Sequence, residues 1–205
     1  MLFEHLGHSP RVNPTAQIAP TAVVSGDVEI GPGCQILHGA VISAEGGPIT
    51  IGESSIVMEN AVLRASASDP LHLGAHVLVG PTASVSGATI GDEVFLATGS
   101  RVFNGARIGA RSEIRINAVV HVRTVLPDDS TVPIGWVAVG DPPEILSPDR
   151  HDEIWAIQQD LDFPGYVFGV DRSTPDLMVQ LTERYARHLA RHADDRRIDG
   201  DFTQP

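Results

Sequence analysis

The sequence predicts an all-β solenoid, a parallel coil of six-residue repeats, followed by α-helices. Three observations carry this. First, one unit recurs through the middle of the chain: an aliphatic residue, a Gly or other small residue, two turn residues, then a small residue. It stands at Ile30-Gly31-Pro32-Gly33-Cys34-Gln35, Ile51-Gly52-Glu53-Ser54-Ser55-Ile56, Ile90-Gly91-Asp92-Glu93-Val94-Phe95 and Ile108-Gly109-Ala110-Arg111-Ser112-Glu113. Stretches between these markers, such as Val57 to Val62 and Leu96 to Arg101, fit the same template. A strand that turns every six residues winds into a triangular coil with its aliphatic residues inward, and hexapeptide repeats mark a parallel β-helix. Second, aromatics are only 5% of the 205 residues while Gly reaches 20 and Pro 15, which suits a thin core of Ile, Val, Leu and Ala. Third, beyond residue 146 the apolar spacing changes from six to the three-and-four of a helix.

Residues 1–17, with Pro10 and Pro14, read as an irregular segment lying across the first coil and capping its open end. The coil proper runs from about Ile18 to about Val139, inside a β-helical domain of residues 18–146. Three edges make one turn, so successive registers fall on three faces. The first face takes Ile30, Ile51, Leu73, Ile90 and Ile108, and the second Ile36, Val57, Val79, Leu96 and Ile114. The third takes Ile42, Leu63, Val85, Val102 and Val120. Two stretches exceed the hexad count, Glu45-Gly46-Gly47-Pro48 and Ser66-Ala67-Ser68-Asp69-Pro70. Extra residues in a solenoid bulge out as loops on one side, often the binding side.

Residues 147–205 read as a helical extension. Ser147-Pro148-Asp149 combines an N-cap, a Pro at the first helical position and an acid at the positive end of the dipole. Ile154, Ile157 and Leu161 continue at helical spacing, with Pro164-Gly165 as the stop. Ser173-Thr174-Pro175-Asp176 repeats the start signal. Leu177, Leu181, Tyr185 and Leu189 then form a four-spaced stripe, a packing face for the coil or a neighbouring subunit. His188 and His192 stand one helical turn apart, as metal ligands can, but among Arg184, Arg187 and Arg191 they read as solvated surface.

The net charge is −12, and all 14 basic residues other than histidine are arginines. An acidic surface excludes nucleic acid and anionic membrane as partners. The missing lysine excludes Schiff-base chemistry. Cys34 is the single cysteine, so no internal disulfide forms, and its place at a small hexad position makes it a packing residue. With no signal peptide and no long apolar run, the chain is expected to be cytoplasmic.

The segments Ala40 to Gly52 and Ile56 to Arg64 resemble the γ-class carbonic anhydrase family. Val137-Ala138-Val139-Gly140-Asp141-Pro142-Pro143 is similar to the end-of-coil signature shared with the hexapeptide acyltransferases. The resemblance covers roughly residues 14–146 and implies a left-handed coil and a homotrimer. In that family three histidines from adjoining subunits bind zinc or a similar metal. By the same alignment those histidines fall here on Arg64, Pro81 and Ser86, while the family's Arg and Asp partners become Ser43 and Glu45. The Gln-Asp pair before the first histidine becomes Met58-Glu59. Pro cannot ligate a metal, and Arg is a permanent cation. No metal and no carbonic anhydrase activity are therefore expected.

Where the family holds a cation, this column would present a guanidinium beside hydroxyls and carboxylates. Arg suits bidentate recognition of a carboxylate or phosphate. The expected site is an inter-subunit pocket for a small anionic molecule, with Ser43, Glu45, Arg64, His72 and Pro81 binding and with Glu59, Arg64 and Ser86 catalytic. In it Glu59 would serve as general base. The plain alternative is that Arg64 simply pairs with Glu59 or Glu45. No cofactor is expected, except acyl-CoA if the coil is instead an acyltransferase. In that case His38, His72 or His121 would be the base, and Arg101, Arg107, Arg111, Arg115 and Arg123 would meet phosphates. A third alternative is a non-catalytic scaffold or complex subunit.

Overall fold

The computed structural model describes residues 1–199, so the last six residues of the helical extension, 200–205, lie outside the described residues. The hexads form a three-faced parallel solenoid. Two faces are seven-stranded, and the third is ten-stranded with an antiparallel strand at each end, giving about eight turns. Consecutive strands on a face lie one turn apart in sequence, as at Leu71–Leu73, which pairs with Ile49–Ile51 before it and Thr89–Ile90 after it.

All three inward columns fall as the hexad count predicts. Ile30, Ile51, Leu73 and Ile90 share one register, Ile36, Val57, Val79 and Leu96 a second, and Ile42, Leu63, Val85 and Val102 the third. Each of these side chains is at most 3% exposed. Small residues such as Cys34, Ala61 and Ala83 fill the corners, and the Cys34 thiol donates to the Gly52 carbonyl at 3.1 Å. The turn at each corner needs a left-handed residue, and Asn60, Thr82 and Arg111 each take φ 57° to provide it.

The amino-terminal segment departs from expectation. Leu2–Glu4, Arg11–Val12 and Gln17–Ile18 are not a loose cap but strands of the coil, one on each face. Their hexad pattern is masked because polar Arg11 and Gln17 occupy the outward positions and prolines the corners.

After the last turn, Glu144–Leu146 folds back antiparallel on Val137–Val139. Helix α1, His151–Gln158, begins later than Ser147 predicts, with Arg150 at its N-cap and no side-chain cap bond. Ile154 and Ile157 pack on Val139 and Leu146. Pro164-Gly165 does not stop the helical region. Both lie in helix α2, Phe163–Phe168, where Pro sits in the first turn and its missing N–H costs nothing. Helix α3, Leu177–Leu189, follows the second start signal.

The extension then runs back along the coil. Phe163 packs edge-on against Phe103, with ring centroids 6.1 Å apart, and Tyr166 bonds Asp69. Tyr185 bonds Arg64, His192 bonds Glu45, and Arg196–Arg197 pairs antiparallel with Leu2–Glu4. The polypeptide thus returns from the last turn to the first, covering the ten-stranded face.

Candidate functional site

On that face an outward column forms beside the buried one: Ser25, Ser43, Arg64 and Ser86 are register neighbours on adjacent strands. The sequence brings three of the expected residues, Ser43, Arg64 and Ser86, into one line. Glu45 ends the same strand as Ser43 and is 5% exposed. The Ser43 hydroxyl donates to its carboxylate at 2.7 Å.

The C-terminal cover supplies the opposite wall. Arg64 donates from Nη1 to the Tyr185 hydroxyl at 2.9 Å, while its buried Nε has no partner. His192 Nε2 lies 2.9 Å from Glu45 Oε2, and His188 Nε2 3.8 Å from the same oxygen. Neither histidine is the solvated surface residue that its arginine-rich surroundings suggest; both turn toward the coil. His192 also meets Asp195 through Nδ1 at 2.8 Å, and Asp195 in turn meets His5 Nδ1 at 2.5 Å.

Burial alone would push the Glu45 carboxyl up. The Ser43 hydroxyl, the charges of His192 and Arg64 and the His192 hydrogen bond outweigh it and bring the group below its ordinary value. Burial and the neighbouring Arg191 charge hold the His188 imidazole below its ordinary value, against the opposing pull of Glu45.

Two concavities flank this wall. A cleft of about 350 Å³ lies between the inserted loop and helices α2 and α3, lined by Ser66, Ser68, Tyr166, Phe168, Leu181, Arg184, Tyr185 and His188. Its mix of apolar side chains and a few convergent polar groups is that of a small-molecule site. Arg184 is fixed there by a bond from Nη1 to the Gly169 carbonyl at 2.8 Å, and it meets no carboxylate among the described residues.

A second groove of about 670 Å³ is lined by Asp69, Gly87, Gly105, Arg107, Arg123, Asp141 and Tyr166. Between the two concavities stands a latch. Asp69, 6% exposed, accepts from Tyr166 at 2.6 Å and from Ser68 at 2.8 Å. Burial first, then the Asp69 hydrogen bond and charge, push the Tyr166 phenol up to about 12.

The structure does not gather the other expected site residues. Glu59 and Pro81 sit at coil corners, where their carbonyls accept from Thr82 and Gly99, and the Glu59 side chain has no hydrogen bond or ion pair among the described residues. His72 is exposed on another face, with Nδ1 2.6 Å from the Thr50 hydroxyl. Arg64 pairs with neither Glu59 nor Glu45 at salt-bridge distance; its partner is Tyr185. Of the arginines offered as phosphate contacts, Arg111 and Arg115 are spent on Asp129 and Glu113, whereas Arg107 and Arg123 line the larger groove. His121 is half-buried against Phe103, and burial lowers its pKa.

Sequence reasoning missed Tyr166, Arg184, Tyr185, His188, His192, His5 and Asp195 as site residues. For the residues on α3 the available signal was the polar content of its stripe side, where Tyr185 stands in the stripe and His188 beside it.

No protein-family model matches the chain. It is 28% identical over 157 residues to the mitochondrial gamma carbonic anhydrase 1 of Arabidopsis thaliana, covering 74% of this chain and 55% of that one. It is 31% identical over 183 residues to a carboxysome assembly protein of Synechococcus elongatus, covering 81% of this chain and 32% of that one. The chain thus spans about half the length, or less, of these relatives. A Bacillus cereus structure assigned as an acetyltransferase matches the fold over 94% of this chain and 98% of its own, with a TM-score of 0.53 at 20% identity. The chain is thus similar in sequence to γ-class carbonic anhydrases over most of its length, and it has the hexapeptide-repeat β-helix fold.

Proposed function

We propose that this γ-carbonic-anhydrase-like solenoid lacks the family's three-histidine metal centre and binds a small carboxylate- or phosphate-bearing molecule in the cleft under its C-terminal cover. One observation carries the reading: Arg184 is held in the cleft wall by a backbone carbonyl, with no carboxylate to neutralise it among the described residues. A guanidinium so placed offers its remaining edge to an anion. The hydroxyls of Ser66, Ser68 and Tyr185 supply further polar contacts, and Phe168 and Leu181 an apolar floor.

The expected anion site therefore moves from Arg64 to Arg184. Arg64 becomes a positioning residue that holds Tyr185. His188, on the same wall with Glu45 behind it, is the group placed to exchange a proton with the ligand. The assembly is a homotrimer in this reading, as the family resemblance implies, and the cleft lining named above comes from one chain.

The test is thermal shift and calorimetry with a panel of small mono- and dicarboxylates and phosphates. Binding by at least one, weakened tenfold or more in Arg184→Gln with Tm unchanged, supports the proposal. Equal affinity in the variant, or no binder in the panel, sinks it.

Acyl transfer is the second reading, favoured by Arg107. This side chain lines the larger groove beside Arg123 and has no hydrogen bond or ion pair among the described residues. Two arginines on one groove suit the phosphates of an acyl-CoA. Acetyl-CoA binding lost in Arg107→Gln but intact in Arg184→Gln would establish this reading over the first.

A further inference from the structure

We propose that His5, His192 and Asp195 form a divalent metal site that staples the two ends of the chain together. The nitrogen and oxygen donors of these three residues all lie within 4.8 Å of one another. A tetrahedral zinc ion with donor distances near 2.0–2.2 Å separates its ligands by about 3.3–3.6 Å, so only small side-chain rotations are needed. Two imidazoles and one carboxylate are a donor set that zinc and other first-row divalent ions accept.

The surroundings have the layout of a built site. His192 offers Nδ1 toward Asp195 at 2.8 Å and sets Nε2 against the Glu45 carboxylate at 2.9 Å, which in turn accepts from Ser43. A carboxylate holding the far nitrogen of a ligating histidine fixes its tautomer and its orientation. The His5 and His192 rings stack with centroids 4.4 Å apart.

A second and independent observation comes from burial. His5 is 2% exposed, and its Nε2 is a buried nitrogen with no partner among the described residues. The enclosed ring is held by the Asp195 contact at Nδ1 and the stack on His192, so Nδ1 is fixed toward the donor group.

The position gives the site its role. His5 directly follows Leu2–Glu4, and Asp195 directly precedes Arg196–Arg197, the strand paired antiparallel with it. An ion here would clamp the end of the cover to the first turn of the coil. This site lies within one chain and uses none of the positions that the family resemblance equates with the metal histidines, so it stands or falls apart from the anion cleft.

The experiment titrates chelator-stripped full-length protein with Zn²⁺ by calorimetry and with Co²⁺ by visible absorption. Hydrogen exchange of residues 190–199 is followed with and without zinc. Uptake of one zinc per chain, cobalt bands of a site containing imidazole, and slower exchange of that segment with zinc support the site. His5→Ala and the milder Asp195→Asn should each weaken uptake by 10-fold or more. Absence of saturable uptake, or stoichiometric uptake undiminished in folded Asp195→Asn, overturns it. Weak binding equal in all variants means adventitious surface histidines and overturns it as well.

Discussion

The solenoid and its C-terminal cover are held by different kinds of force. The coil is an aliphatic column in which each side chain repeats the environment of the one a turn below, with no aromatic among its fully buried residues. The cover meets the coil through single polar contacts spaced along one face: Tyr166 on Asp69, Tyr185 on Arg64, His192 on Glu45. Between these contacts the scarce aromatics form a chain, Phe103 to Phe163 to Phe168 to Tyr185, each pair near-perpendicular at 5.5–6.1 Å. Repetition builds the coil, whereas individually placed residues build the seam. The candidate site lies on the seam, where buried and half-buried side chains of unlike chemistry converge.

The contrast breaks most decisively in the core. Leu96→Ala removes a fully buried column residue that the stacked turns cannot close around, and it should cost about 2–5 kcal/mol by chemical denaturation. A cost below about 1 kcal/mol would mean that the column is not the stabilising unit.

Glu45→Gln should act on the seam and leave the coil standing. The neutral amide weakens the contacts with His192 and Ser43 by about 1–3 kcal/mol. Hydrogen exchange should then speed up in residues 185–197 while the strands keep their protection. Equal loosening of both regions would erase the distinction between them.

The smallest effect is at Tyr166. A phenol whose folded pKa is raised stabilises fully below its unfolded value near 10, and that contribution is lost as pH rises through about 12. Near-ultraviolet absorbance should therefore report phenolate formation at Tyr166 late, with its midpoint at about pH 12, together with loosening of α2. Tyr166→Phe loses about 0.5–1.5 kcal/mol at neutral pH. It should show no such alkaline step at this position. An unshifted titration in the wild type would mean that the latch does not form.

The same division explains what the sequence revealed. A period of six is redundant: Ile51, Leu73 and Ile90 each announce the register of the others, so faces, corners and even the Ser43–Arg64–Ser86 line could be counted out. The first turn escaped because its pattern rests on few apolar residues, Val12 and Ile18 among them. Pro164 misled because proline both ends helices and begins them, and only the neighbouring packing decides which. The seam had no period to read. Glu45 and His192 are 147 residues apart, and Asp69 and Tyr166 are 97 apart, so their partnership depends on the path of the returning chain. The four-spaced stripe on α3 showed that the helix packs on something, but a stripe alone does not say on what.

The proposed function places an anion-binding cleft around Arg184, closed by the returning chain. Crystals soaked with the tightest small carboxylate or phosphate from the binding panel test it at the level of atoms. Density for the anionic group is expected on the Arg184 guanidinium, between Tyr185 and the Ser66–Ser68 loop. Density at Arg107 and Arg123 instead, or none in the cleft at saturating ligand, would contradict it.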